Sequence, residues 1–274
     1  MRARSALALA VVAAAVTLAL VAGARGGGAD RPRALAGDVR LPDLAQERPS
    51  GIEVSRAGAL ARPRWRLGFD SAVSNIGAGP LRIASRRATS AAGRMSADQL
   101  IDRSGGGRQH IPAVGALRYV RSEDHQHWHL LGFERYELKR TGRSSPLVRD
   151  RKTGFCLGDR YELRERLAAK PPAAAWVGRC GLARPRLLAL EQGISVGYGD
   201  DYPAILEGQW LSLDGLPAGR YLLVHRVNAD GTLRESTRAN NASSLLLSLR
   251  WRDRRPLVRV LERCARSERC AVSR

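Results

Sequence analysis

Residues 124–130 read DHQHWHL, and His125, His127 and His129 stand two apart in a chain that has only five histidines. On a β-strand successive side chains face opposite sides. The three imidazoles would then share one face, and Gln126, Trp128 and Leu130 the other. On a helix His127 would point away from its two neighbours. Neutral imidazoles ligate Zn, Cu, Fe or Ni in tetrahedral or tetragonal sites. Three of them leave a fourth position open, which is the arrangement of a catalytic rather than a structural centre. Positions i and i+4 of a straight strand lie about 13 Å apart. One ion therefore requires a bend, and the spacing predicts a bulge or strand end within the run. The fallback is two ligands from the run with a third from elsewhere, and the plain alternative is a surface histidine cluster. His225, in the apolar stretch RYLLVHRVN, reads as a hydrogen-bonded core histidine, and His110 sits in a loop with no role assigned.

The elements that must hold this run read as strands. RWRLGFDSAVSN alternates from Arg64, with Trp65, Leu67 and Phe69 on one side. IGAGP is a turn and LRIAS a second strand. Further strands are expected at 116–121, 126–138, 204–213, 219–227 and 243–250. Residues 87–113 look like a long loop with one helical turn at SADQLI, and DRYELRERLAAK (159–170) looks helical. Many short strands separated by turn signals predict a mainly β fold, an antiparallel β-sandwich core with long loops and little helix.

Arg2 and Arg4, an apolar run from Ala6 and the small residues Ala22-Gly23-Ala24 form a secretory leader over 1–24. An uncleaved N-terminal membrane anchor is the alternative. Residues 25–50 read as a linker, 51–252 as the catalytic domain and 253–274 as a basic tail. Export places the chain outside the cell or at its wall, where cysteines oxidise. Four cysteines allow two disulfides, and proximity favours Cys156–Cys180 and Cys264–Cys270. The net charge is +20, carried by 43 arginines and only three lysines, Lys139, Lys152 and Lys170. The charge is spread along the chain without a basic-aromatic module, which argues against specific nucleic-acid binding. Acidic surfaces remain suitable partners. Asn241-Ala242-Ser243 matches a glycosylation sequon, and no sugar is assigned to it.

DHQHWHLLGFERYEL resembles the copper-binding segment of the lysyl oxidases. The resemblance continues, in order, through LGFDSAVSNIGAGPLRI (67–83), KTGFCLGD (152–159), GISVGYGDDYPAILEGQWLSLDGLPAGRYLLVHRVN (193–228) and LRESTRANN (233–241). It implies an amine oxidase that converts primary amines, peptidyl lysine or small amines, to aldehydes with O₂. His125, His127 and His129 would be the copper ligands. Lys152 and Tyr202 would form the lysine tyrosylquinone cofactor, and Asp200 would be the candidate base. In a chain where arginine has displaced nearly every lysine, a lysine stands at 152, where a nucleophilic amine is needed and a guanidinium would fail. Two departures stand out. Arg135 falls near a histidine of the animal enzymes, and most of the family's cysteines are absent.

Two other function classes compete. One is a copper-binding β-sandwich without the quinone, acting in metal binding or at the cell wall. The other is a zinc hydrolase, against which the chain has no H-E-x-x-H and no glutamate base at motif spacing from the triad. The amine and the oligomeric state are left open by the sequence.

Overall fold

The computed structural model describes residues 35–59, 61–122, 125–149 and 154–271. The expected leader and Lys152 lie outside them. In chain order the strands are β1 (Val39–Arg40), β2 (Leu44–Gln46), β3 (Ser50–Ala57), β4 (Arg64–Asn75), β5 (Leu81–Arg86), β6 (Arg94–Arg103), β7 (Arg108–Tyr119), β8 (Trp128–Leu130) and β9 (Glu134–Arg140). They continue with β10 (Pro146–Arg149), β11 (Tyr161–Glu162), β12 (Ala189–Ile194), β13 (Tyr198–Tyr202), β14 (Trp210–Ser212), β15 (Gly219–Val227), β16 (Ala242–Arg252) and β17 (Arg255–Cys264). No helix occurs among the described residues. The fold is mainly β, as expected.

Three antiparallel sheets share one apolar core. The first runs β12-β5-β6-β7-β8 with β1 on β6, and the second runs β10-β9-β15-β16-β17. The third runs β11-β13-β4-β14, with β2 and β3 also paired to β4. The core draws Leu67, Phe69 and Val73 from β4, Leu117 from β7, Leu138 from β9 and Leu245 and Leu247 from β16, all at most 2% exposed. Period-2 alternation explains Leu67, Phe69 and Val73 on β4 and Tyr136 and Leu138 on β9, whereas β16 is covered on both faces and buries every residue from Ala242 to Leu247. Both disulfides form as proximity favoured, Cys156–Cys180 and Cys264–Cys270.

Several local expectations are corrected. The SGGG cluster is the turn of a β6–β7 hairpin, not part of a long loop. SADQLI is strand because Met95, Ala97 and Ile101 all point into the core. The stretch 159–170 is extended and turned, not helical. Asp159 accepts hydrogen bonds from the backbone of Ala175, Trp176 and Ser195, and Tyr161 pairs with Gly199, so tertiary contacts override helix propensity. Strand 204–213 shrinks to β14.

The described part of the expected linker is built into the domain. Leu44 is fully buried on β2, and Cβ atoms at Gly77 or Gly79 would collide with the backbone of residues 40–43, so that segment packs hard on the IGAGP turn. The basic tail is likewise β17, an edge strand paired along β16, its arginines at outward positions.

His225 is buried on β15, as its apolar context predicted. Its Nδ1 lies 3.0 Å from Ser71 Oγ and its Nε2 2.5 Å from the Glu47 carbonyl. Burial pushes its pKa down to about 3 from an ordinary 6.5. The unfolded imidazole binds a proton near pH 6.5, while the folded one resists until about pH 3. His225 therefore favours the folded state above pH 6.5 and progressively loses that contribution as pH falls toward 3, by up to about 4 kcal/mol. Urea unfolding between pH 7 and pH 4 should show this fall, and a His225→Gln variant should show a flatter profile. Parallel profiles would mean that the buried ring titrates normally.

Candidate metal centre and adjoining cavity

The histidine run bends as its spacing required. β8 begins only at Trp128, where the chain joins the first sheet through the pairs Tyr119–Trp128 and Arg118–His129. His125 and His127 precede the strand. They are held by hydrogen bonds from Ser122 N to the His125 carbonyl (2.8 Å), Val120 N to the His127 carbonyl (2.9 Å) and Ala183 N to the Gln126 carbonyl (2.8 Å). Trp128 and Leu130 face the core, and the Arg87 guanidinium lies 4.6 Å over the Trp128 ring. That anchor turns the alternate side chains toward a common point. One ring nitrogen from each of His125, His127 and His129 lies within 4.8 Å of the others. The Nε2 atoms of His127 and His129 are 2.7 Å apart.

His125 and His129 are buried, His127 half-buried. Burial first, then the charges of His125 and Arg160, lower the His127 pKa to about 4. The imidazole is thus neutral at physiological pH, the form that ligates metal. The Glu207 carboxylate approaches His125 Nδ1 at 3.5 Å.

A cavity of about 180 Å³ adjoins the triad, lined by the three histidines with Gly154, Cys156, Arg160, Asp200, Asp201, Tyr202 and Leu206. β13 delivers Tyr202 and Asp200. Gly199 to Tyr202 pair with Ser74 to Ser71 of β4, so the last residues of β13 are fixed by a central strand. The Tyr202 ring stands edge-on to Phe155, centroids 4.7 Å apart. Its hydroxyl donates to the Asp200 carboxylate and lies 3.3 Å from the Cys156 carbonyl. Burial raises the pKa of both Tyr202 and Asp200 well above the ordinary range. Arg160 counters this at Asp200. Its Nε is 3.7 Å from Asp200 Oδ1, and its Nη2 donates to the Gly178 carbonyl at 3.1 Å.

The segment that begins at Gly154 is tied to the histidine strand. Phe155 and Leu130 exchange two backbone hydrogen bonds, 2.8 and 3.0 Å. Gly154 sits at φ 133°, and a Cβ there would stand 2.5 Å from the Leu130 carbonyl oxygen, so only glycine permits this close approach. The Cys156–Cys180 disulfide closes the same corner, and Trp128 N donates to the Cys180 carbonyl at 2.9 Å.

The five described candidates, His125, His127, His129, Asp200 and Tyr202, thus line one cavity. Lys152 lies outside the described residues, two positions before Gly154 on its wall. The sequence reading missed Arg160, placed within the expected helix although it directly follows the motif aspartate Asp159. It also missed Glu134 and Tyr136. The Tyr136 hydroxyl donates to Glu134 Oε2 at 2.5 Å, and Glu134 also accepts from Ser71 Oγ at 3.0 Å, on the strand paired to Tyr202. Arg135 pairs with Asp230.

The geometry can be set beside known sequences. A family profile described as lysyl oxidase matches residues 103–259, more than half of the chain. The chain belongs to the lysyl oxidase family. A comparison with curated proteins finds no match. The matched span carries the histidine run, Lys152 and Tyr202, whereas β4 precedes it.

Other family-like segments serve the frame rather than the cavity. Glu235 of LRESTRANN accepts from Asn228, Asn241 and the Leu44 amide. Asn241 is buried with its amide on Glu235, so the sequon is closed to a sugar. Gln209 accepts from the Tyr136 hydroxyl. Lysyl oxidases are copper-dependent. The donor set fits that metal: three imidazoles, one of them, His127, held by burial below the usual histidine range, converge with ring nitrogens close enough to share an ion. The two disulfides suit an exported protein.

Proposed function

We propose that this protein is a copper-dependent amine oxidase, secreted or wall-associated, that converts primary amines to aldehydes. The overall change is amine plus O₂ plus water to aldehyde, ammonia and hydrogen peroxide. The reading rests above all on the shared cavity of the histidine triad and the buried Tyr202–Asp200 pair. His125, His127 and His129 would hold copper, which when bound supplies one-electron chemistry with O₂.

The chain's own residues account for the rest. Tyr202 is the phenol to be oxidised, held edge-on by Phe155 so that its ring cannot turn freely. The Asp200 carboxylate takes the phenolic proton, being its hydrogen-bond acceptor. Lys152 would supply the ε-amine that joins the ring. Two residues of extended chain span about 7 Å, so an amine at 152 can reach from Gly154 on the cavity wall. Asp200, raised in pKa by burial and held by Arg160, is then the group able to remove a proton from the substrate carbon next to nitrogen. A pocket this small admits the terminal amine of a chain rather than a bulky head.

Intact mass and visible absorbance test the reading. The mature cofactor adds one oxygen and removes four hydrogens, so protein made with copper and air should be about 12 Da heavier than copper-free protein and should absorb visible light. Copper uptake without either change would replace the oxidase by a copper-binding β-sandwich that never forms the quinone.

A further inference from the structure

On the second sheet, away from the cavity lining, lies a groove of about 580 Å³ lined by six cationic side chains, Lys139, Arg143, Arg226, Arg238, Arg266 and Arg269, and by one carboxylate, Glu268. It is built from distant parts of the chain. β9 supplies Lys139, β15 supplies Arg226, and the turn after β9 supplies Arg143. The six-residue separation of Cys264 and Cys270 closes the loop that carries Arg266, Glu268 and Arg269. That loop is pinned to β16: Ser244 Oγ donates to the Ser267 carbonyl (2.8 Å), and Arg266 N donates to Ser243 Oγ (3.1 Å). Both serines are fully buried. The cations are therefore presented by a preorganised frame and lose little freedom on binding.

The groove already holds one ligand of its own. Glu268 puts its carboxylate 3.5 Å from Lys139 Nζ and in contact with the Arg226 guanidinium. Lys139 and Arg226 are both largely covered, so these charges act in a medium less screened than bulk water. Arg143, Arg266 and Arg269 line the same groove with no carboxylate within 4 Å among the described residues. No aromatic ring lines it, which leaves nucleobases nothing to stack on.

We propose that this groove docks an acidic polypeptide segment, whose carboxylates seat on Arg143, Arg266 and Arg269 as Glu268 seats on Lys139 and Arg226. The inference does not depend on amine oxidation.

The test is anisotropy of a fluorescent deca-glutamate peptide titrated with the full protein. Replacing Arg143, Arg266 and Arg269 together by alanine should weaken binding about tenfold. Removing equal charge elsewhere, at Arg94, Arg254 and Arg255, should weaken it by less than about twofold. Glu268→Gln should tighten binding by about threefold, because Arg226 then becomes available while Lys139 keeps its pair with Glu137; a misfolded variant could not produce that gain. Equal losses in the two triple variants would reduce the groove to net charge and overturn the proposal. So would an unchanged or weaker affinity for Glu268→Gln, or displacement of the peptide by inorganic polyphosphate at equal charge but not by free poly-glutamate.

Discussion

Replacing Lys152 with arginine is expected to abolish amine oxidation while leaving copper uptake and thermal stability unchanged. Arginine preserves positive charge and approximate length, so solvation and folding of the segment are little altered. A guanidinium stays protonated and is a poor nucleophile, so the cross-link to Tyr202 cannot form. Amine-dependent hydrogen peroxide release should fall by at least about a thousandfold, and the copper-dependent mass gain and visible band should both vanish. Lys139→Arg and Lys170→Arg serve as controls. Lys139 pairs with Glu137 and Glu268, and Lys170 donates to the Leu163 carbonyl and pairs with Glu162, so both lysines have structural partners. Those variants should keep the cofactor. A Lys152→Arg protein with full activity would remove the residue from the chemistry.

The second large effect is expected at His127. It is the half-buried member of the triad and lies before β8 begins, so truncating it to alanine spares the Val120–His127 backbone bond and the Trp128 anchor. Copper affinity should fall by more than about a hundredfold, roughly 3 kcal/mol, measured by competition with a chelator. Copper that binds only the folded state raises its stability. The wild-type protein should therefore melt higher with copper than after chelation, and His127→Ala should melt alike in both. Retention of wild-type affinity would mean that the ion is held elsewhere.

Legibility from sequence tracked how local each feature is. β4 and β15 matched their expected ranges because alternating apolar residues bounded by turns leave one register that buries both Leu67 and Phe69, or Tyr221 and Leu223. β6 was misread because SADQLI carries helix-compatible residues, and only pairing with β5 and β7 makes it strand. The DRYELRERLAAK stretch failed for the same reason in reverse. Its charged residues favour helix in isolation, but Asp159 and Tyr161 are committed to partners 15 to 40 positions away. The described half of the expected linker was missed because its burial depends on a turn that comes later in the chain.

By itself the sequence supplied three candidate imidazole donors, four cysteines and the order of the lysyl oxidase segments, because residue identity alone decides which atoms can ligate, oxidise or add. It also required a bend in the histidine run, since a straight strand holds its ends too far apart. Only the tertiary structure decided that Asp200 grips the Tyr202 hydroxyl, that Arg160 stands beside that carboxylate, and that Gly154 lets Phe155 pair with Leu130 of the histidine strand. It alone decided, too, that scattered arginines gather around Glu268 in a groove. Each of these meetings joins strands far apart in sequence, and their distances are set by cross-strand register and core packing, which no local pattern of residues contains.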